Sequence, residues 1–495
     1  MRHLVPGLIV AAALCVLSAA AAGCAPPATA AAQETSPAST ASTQVASGTG
    51  LFDGSAVHEI SVSFAQTDYD AMIQTFQESG DKEWIEATVT IDGRAYGNVG
   101  IRLKGNSSIM GLRGGGSGPM GGARSMGGDA SIDAPETLPW LLDLDRNIDN
   151  QNHEGIVELA VRSNTSKTAL NEVVALALLR EAGLASQDTA YVSFSINGSE
   201  PRLRLVIENP DDRWMAEELD ISGALYKAES TGDYSYRGDD PDSYGDVFDQ
   251  EAGKTNADLS PLIDFLEFVN NADDDAFNTG LPDRLNVDAF ATYLAVQELI
   301  ANSDDIDGPG NNSYLYYDTQ TEMFTVVAWD HNLAFGGMGG AGRFGGGGVA
   351  RPPEGEGATR PSEDGDATIR PEGGREGFDG SLPKGMEYGV PNQAGAPNQA
   401  GAPNQAGAPG QGRGANGFGG GKSNILVQRF KANPEWQQLY EERLTELSSA
   451  LYESGRAAEI LAAWVGLLKT EASDLVDADT VDQEAATISR HFATE

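Results

Sequence analysis

The chain has 495 residues, 32 Lys+Arg against 73 Asp+Glu, a net charge of −41, two Cys and 40% apolar residues. That charge excludes general nucleic-acid binding, which needs a basic surface to meet phosphates, while the apolar fraction suffices for a sizeable core in two to four domains of roughly 100–200 residues. The 60 Gly and 23 Pro sit largely in a few tracts, which predicts a folded protein carrying low-complexity inserts.

At the N-terminus, Arg2 precedes a small and apolar run from Leu4 to Ala22 that ends in Ala21-Ala22-Gly23-Cys24. This is the pattern of a secretory signal peptide, predicted over 1–23. Small residues directly before a Cys resemble the bacterial lipobox, in which that Cys is acylated and begins the mature protein; Ala21 stands where Leu is commonest. The run is shorter than the roughly 20 residues that span a bilayer, and nothing later is long and apolar enough to cross. The expectation is an exported protein, attached through a lipid anchor at Cys24 to the outer face of the cell membrane, or extracellular. Cys15 would leave with the signal, so the mature chain has no internal disulfide. Residues 24–50 are rich in Ala, Thr, Ser and Pro and poor in charge, the composition of a flexible tether.

From Leu51 to Phe335 strand-like stretches (Ile60 to Phe64, Ala87 to Ile91, Arg202 to Ile207) alternate with helical ones (Lys167 to Ala182, Val287 to Ala301), an α+β pattern interrupted by a Gly- and Met-rich loop from Gly111 to Ala130. Residues 336–422 form a second insert with three identical copies of Asn-Gln-Ala-Gly-Ala-Pro, at 392–397, 398–403 and 404–409. A six-residue repeat with Gly and Pro in every copy forms neither a regular helix nor a paired strand, so the insert is expected to be disordered. From 423 to 495 helical periodicity returns (Leu439, Leu444, Leu447, Leu451, Ile460, Leu461, Trp464, Leu467), predicting two or three helices that pack back on the main domain.

The common hydrolase and nucleotide-loop signatures are absent: no His-Glu-x-x-His, Gly-x-Ser-x-Gly, Walker A lysine or paired Cys. Carboxylates and amides are concentrated instead. Asn302-Ser-Asp304-Asp305-Ile-Asp307 leads into Asn311-Asn312-Ser-Tyr314, and an apolar strand later comes Val327-Ala-Trp-Asp330-His-Asn332. Two acidic clusters separated by a strand hairpin can converge on one divalent cation, and oxygen ligands of this kind suit Mg²⁺ or Mn²⁺. The first cluster also has the composition of an ordinary acidic turn. Asp330 follows Val326, Val327, Ala328 and Trp329, and a carboxylate at the end of a buried strand is costly unless paired or metal-bound.

At these residues the sequence resembles the CotH family of secreted kinases. Four blocks carry the resemblance: Ile101 to Ser108 with Lys104, the helix from Ser166 to Gly183 with Glu172, Asn302 to Tyr316, and Trp329 to Gly336. It implies an atypical two-lobed protein-kinase-like fold, completed by the C-terminal helices. The implied activity is metal-dependent transfer of phosphate from ATP to Ser or Thr of a surface or secreted protein. In kinases a strand lysine contacts the ATP phosphates and pairs with a helix glutamate, a catalytic-loop Asp accepts the substrate proton, and an Asn and a later Asp hold the metals. Carried onto this chain, Lys104 pairs with Glu172, and Asn209, in the Pro-broken hinge Val206 to Pro210, lies on the nucleotide side. Asn312 and Asp330 are the metal ligands. The catalytic Asp is either Asp304, in the family's Asn-x-Asp pattern with Asn302, or Asp307, five residues before Asn312 as in common kinases. Departures are plain: the glycines available for a nucleotide loop are Gly93, Gly97 and Gly100, and there is no His-Arg-Asp triplet.

Two alternatives stand beside this reading. One is a non-catalytic cell-surface or envelope interaction lipoprotein that keeps the fold. The other is local: Asp143, Asp145, Asn147, Asp149 and Glu154 have EF-hand-like spacing, but Ile148 stands where the turn needs Gly, which favours a solvated acidic stretch.

Overall fold

A computed structural model of the chain describes residues 50–105, 108–113, 129–219, 223–229, 232–254, 257–302, 304–307, 312–336 and 424–493. All of them fall within the compact unit Val45–Glu495. The expected signal, Cys24, the tether as far as 49, most of the Gly- and Met-rich loop and nearly all of the repeat-bearing insert lie outside the described residues.

The fold is mixed α+β. Seven strands, β1 (His58–Phe64), β2 (Ile85–Ile91), β3 (Arg94–Leu103), β4 (Trp140–Asp143), β5 (Glu158–Val161), β6 (Thr189–Ile196) and β7 (Arg202–Glu208), close into a barrel in the order β1-β2-β3-β4-β5-β7-β6. All neighbours are antiparallel except β1 and β6, whose parallel pairing closes the ring. Period-2 alternation is why these segments are strands: Ile60 and Val62, then Ala87, Val89 and Ile91, point inward to a core with Trp140, Leu159 and Phe194. Asp92 and Gly93, both at positive φ, make the two-residue turn between β2 and β3. Gly97 and Gly100 lie within β3, so this glycine set belongs to a turn and a strand instead of a phosphate loop. Helix α1 (Gln66–Glu78) covers the barrel with Tyr69, Met72, Ile73 and Phe76.

A second core joins a four-stranded antiparallel sheet to the remaining helices. The sheet runs β11-β10-β8-β9, with β8 (Gly223–Ala228), β9 (Phe248–Ala252), β10 (Ser313–Asp318) and β11 (Met323–Ala328). Around it pack α2 (Leu170–Glu181), α3 (Asp212–Glu218), α4 (Ser260–Asn271), α5 (Asp274–Gly280), α6 (Val287–Leu299), α7 (Ile425–Ala432), α8 (Pro434–Leu447), α9 (Arg456–Glu471) and α10 (Ala478–Ser489). Among the described residues the C-terminal part thus holds four α-helices, where its periodicity predicted two or three. Asn433 caps the start of α8 with Pro434 at its first position, and Gly455, at φ 85°, separates α9 from the turn before it. Helix α2 is apolar nearly all round, as a helix enclosed by other elements must be. Its Leu170, Val174, Leu178 and Leu179 are fully buried in the core that also holds Trp464 of α9, whose ring lies 5.6 Å from that of Tyr191 on β6.

Candidate active site

Strand β5 ends at Val161, and the next residue, Arg162, enters a buried charge cluster. Its guanidinium lies 2.9 Å from Glu172, in the first turn of α2, and is also bonded to Asp330, which follows β11. Burial would lower the Arg162 pKa, but the charges of Asp330 and Glu172 outweigh it and raise the pKa. Burial pushes the Glu172 carboxyl up; Arg162 opposes this and Asp330 adds to it. Glu172 is only 2% exposed, so an isolated charge there would be costly, and Arg162 supplies the compensation. Asp330 sits at φ 61°, in the left-handed region that non-glycine residues rarely adopt. Such strain persists where the surroundings over-determine it, often at functional sites.

Asp304 is close enough to Asp330 for their charges to repel. Burial first, and the Asp330 charge second, raise the Asp304 pKa, against a hydrogen bond from Asn312. The Asn312 amide also donates to the Asp304 carbonyl at 2.7 Å, which ties the start of β10 to the 304 turn. Asp307 has a different environment, paired with Lys431 of α7 at 3.2 Å. Behind the cluster runs a buried relay in which Gln297 of α6 donates to His331 Nε2 at 3.3 Å and accepts from Asn302 at 2.9 Å. The residue after Asp330 and the residue two before Asp304 are therefore held by the same side chain.

Lys104, just past β3, donates to Asn209 at 2.9 Å, and Asn209 donates in turn to Glu158 at 2.6 Å. Burial, reinforced by the Lys227 charge, lowers the Lys104 pKa to about 7. The expected pairing of Lys104 with Glu172 is not the one formed. The strand directly before α2 is β5, so the cation that reaches Glu172 is Arg162, while β3 delivers Lys104 to the segment after β7. Trp329 connects the two groups: its ring centroid is 5.4 Å from Lys104 Nζ and 6.0 Å from Arg162 Cζ. Six of the seven residues singled out in the sequence, Lys104, Glu172, Asn209, Asp304, Asn312 and Asp330, thus line one connected region, and Asp307 is tied to Lys431.

Arg162, Lys431, Gln297 and His331 were not singled out. For Arg162 the signal was present, as the charged residue ending an apolar strand immediately before the helix that carries Glu172. For the others no local pattern marks them.

Among the described residues no group of three or more His, Cys, Asp or Glu side chains is gathered closely enough to hold a metal ion by itself. The donors present at Asp330 and Asn312, a carboxylate and an amide, fit a Mg²⁺ or Mn²⁺ that takes its other ligands from phosphates and water. The 143–154 stretch has bonds of its own: Asn147 donates to the Asn98 carbonyl at 3.0 Å, and the side chain of Ile148 is 40% exposed. A cavity of about 230 Å³ lies elsewhere, between the loop before α2 and the start of α10, lined by Ser163, Lys167, Arg204, Asp477 and Thr480.

A family model described as CotH kinase protein matches residues 126–489, well over half of the chain. Arg162, Glu172, Asn209, Asp304, Asn312 and Asp330 lie inside the match and Lys104 lies before it. The inner spore coat protein H of Bacillus subtilis (strain 168) is 23% identical over 168 residues, which cover 33% of this chain and 45% of that protein. The chain therefore spans less than half the length of the curated relative it matches.

Proposed function

The chain belongs to the CotH kinase protein family, and from that premise we propose that it is an exported, lipid-anchored atypical protein kinase with a two-lobed kinase-like fold. It transfers phosphate from ATP to Ser or Thr of surface or secreted proteins. The observation that carries this reading is the convergence of Asp304, Asn312 and Asp330 beside the buried Arg162–Glu172 pair. Asp304 accepts the proton of the acceptor hydroxyl as the hydroxyl oxygen bonds to the γ-phosphorus and the bond from that phosphorus to the bridging oxygen breaks, releasing ADP. Asp330 and Asn312 would hold Mg²⁺ or Mn²⁺, which when bound neutralises phosphate charge. Arg162 takes the place of the strand lysine, and Lys104, with Asn209, faces the same region from the barrel. Export rests on the N-terminal run and Cys24, and it accords with the relative's name as a spore coat protein. Among the described residues no helix is long and apolar enough to cross a membrane.

The second reading, a non-catalytic surface or envelope interaction lipoprotein, is favoured by one observation: Asp330 already has a cationic partner in Arg162. Incubation of the purified protein with γ- and α-labelled ATP and Mg²⁺ or Mn²⁺ separates these. Transfer of the γ label to protein supports the kinase, and transfer of the α label indicates that AMP is moved instead. Absence of both, with no nucleotide bound, leaves the interaction protein.

A further inference from the structure

The loop that leads into α2 is held from outside by a residue far along the chain. Glu484, on α10, accepts from the Lys167 amide at 2.8 Å and the Thr168 amide at 3.1 Å, and is also bonded to the Thr168 hydroxyl. Thr168 is fully buried. The next residue, Ala169, sits at φ 54° and gives α2 no side-chain cap; the Thr168 hydroxyl accepts from the Leu170 amide at 3.2 Å, and the carboxylate from α10 satisfies the two loop amides just before the helix and complements the positive end of its dipole.

The same short segment grips the chain around Asp330. Thr165 donates to the Asn332 carbonyl at 2.9 Å, Asn171 to the same carbonyl at 2.6 Å, Glu172 accepts from the His331 amide, and Arg162 holds Asp330. From the other side, the rings of His491 and Phe492, just after α10, lie 5.6 and 5.9 Å from that of Phe335. Helix α10 and its extension therefore grip both the 330–335 segment and the loop that holds it.

We infer that Glu484 is a positioning residue for the candidate site: by anchoring residues 167–168 it fixes α2, and through Glu172 and Arg162 it sets the placement of Asp330. This rests on the kinase reading for its catalytic consequence, but its structural part does not. A charge-assisted clamp of three hydrogen bonds to one carboxylate is among the stronger arrangements available. Replacing the carboxylate by an amide loses the charge and sets one N–H against the loop's own donors.

The test uses the full chain with Glu484→Gln and, as a second variant, Thr168→Val, which removes the hydroxyl arm together with the acceptor for the Leu170 amide. Hydrogen exchange is followed by mass spectrometry in peptides covering 165–172, 330–336 and the barrel strands. In Glu484→Gln both of the first two segments should exchange about tenfold faster than wild type while the barrel is unchanged, and Thr168→Val should show the same pattern more weakly. Where wild type transfers label, the Mn²⁺ concentration for half-maximal transfer should also rise, about fivefold or more. A merely stabilising role would lower the amount of active protein without moving that midpoint. Should Glu484→Gln fail to fold, Thr168→Val decides. Wild-type exchange at 330–336 with a wild-type Mn²⁺ midpoint overturns the inference. A wild type that neither transfers label nor binds nucleotide defeats the kinase reading alone, because the exchange measurement still tests the clamp.

Discussion

Arg162 and Asp330 are hydrogen-bonded to each other although 168 positions separate them in the chain. The bond joins the end of a barrel strand to the end of a strand in the other sheet, across the boundary between the two cores. Because Arg162 also holds Glu172, the position of α2 and the position of Asp330 are linked through one guanidinium.

That cluster predicts an asymmetric response to mutation. Removing either carboxylate leaves Arg162 paired with the other, so each loss should fall below the about 3–5 kcal/mol of an uncompensated buried charge; Glu172→Ala should lose the more in urea unfolding, because its side chain is 3% exposed. Asp330→Ala should lose less, because its side chain is 27% exposed. Equal losses would show that the three groups do not behave as drawn.

The two candidate bases should separate cleanly. Asp304→Ala is expected to bind nucleotide and lose transfer by about 100-fold or more, the scale of a general base. Asp307→Ala, and Lys431→Ala, which breaks the same pair, should stay within about tenfold of wild type. Rates with γ-labelled ATP decide, and inactivity of Asp307→Ala beside normal transfer by Asp304→Ala would reverse the assignment.

Acid should destabilise the protein partly through His331. Burial lowers its pKa from 6.5 to about 4, opposed by Asp330 and reinforced by Arg162. Between those values the unfolded chain binds a proton that the folded one does not, so this contribution is present above pH 6.5 and lost as pH falls toward 4. His331→Asn should flatten that part of the stability profile. His153 and His491, also lowered chiefly by burial, should leave a residual slope. Thermal melts at closely spaced pH values measure this, and an unchanged slope in His331→Asn contradicts it.

The anchor is tested by Cys24→Ser in a host that acylates lipoproteins. The variant should leave the membrane fraction or remain unprocessed. If wild type and variant fractionate alike, the lipid anchor is wrong.

Much of the architecture was readable from local pattern. Alternation at Ile60 to Phe64, Ala87 to Ile91 and Arg202 to Ile207 marks β1, β2 and β7, and Val287 to Leu299 is helical where predicted, because side-chain periodicity is a local property of the backbone. The residue types of the site were equally visible: Asp304, Asn312 and Asp330 stand out by composition and by the apolar strand before Asp330. Which charge meets which is fixed by long-range packing. Lys104 and Arg162 are each a basic residue after a strand, and nothing in their neighbours says that Lys104 goes to Asn209 while Arg162 goes to Glu172 and Asp330. Asp304 and Asp307 differ for the same reason, since Lys431, 124 positions from Asp307, claims one of them. Pairing depends on strand order in the closed barrel and on long-range packing of the C-terminal helices, and both are set by burial over the whole chain, which no local window contains.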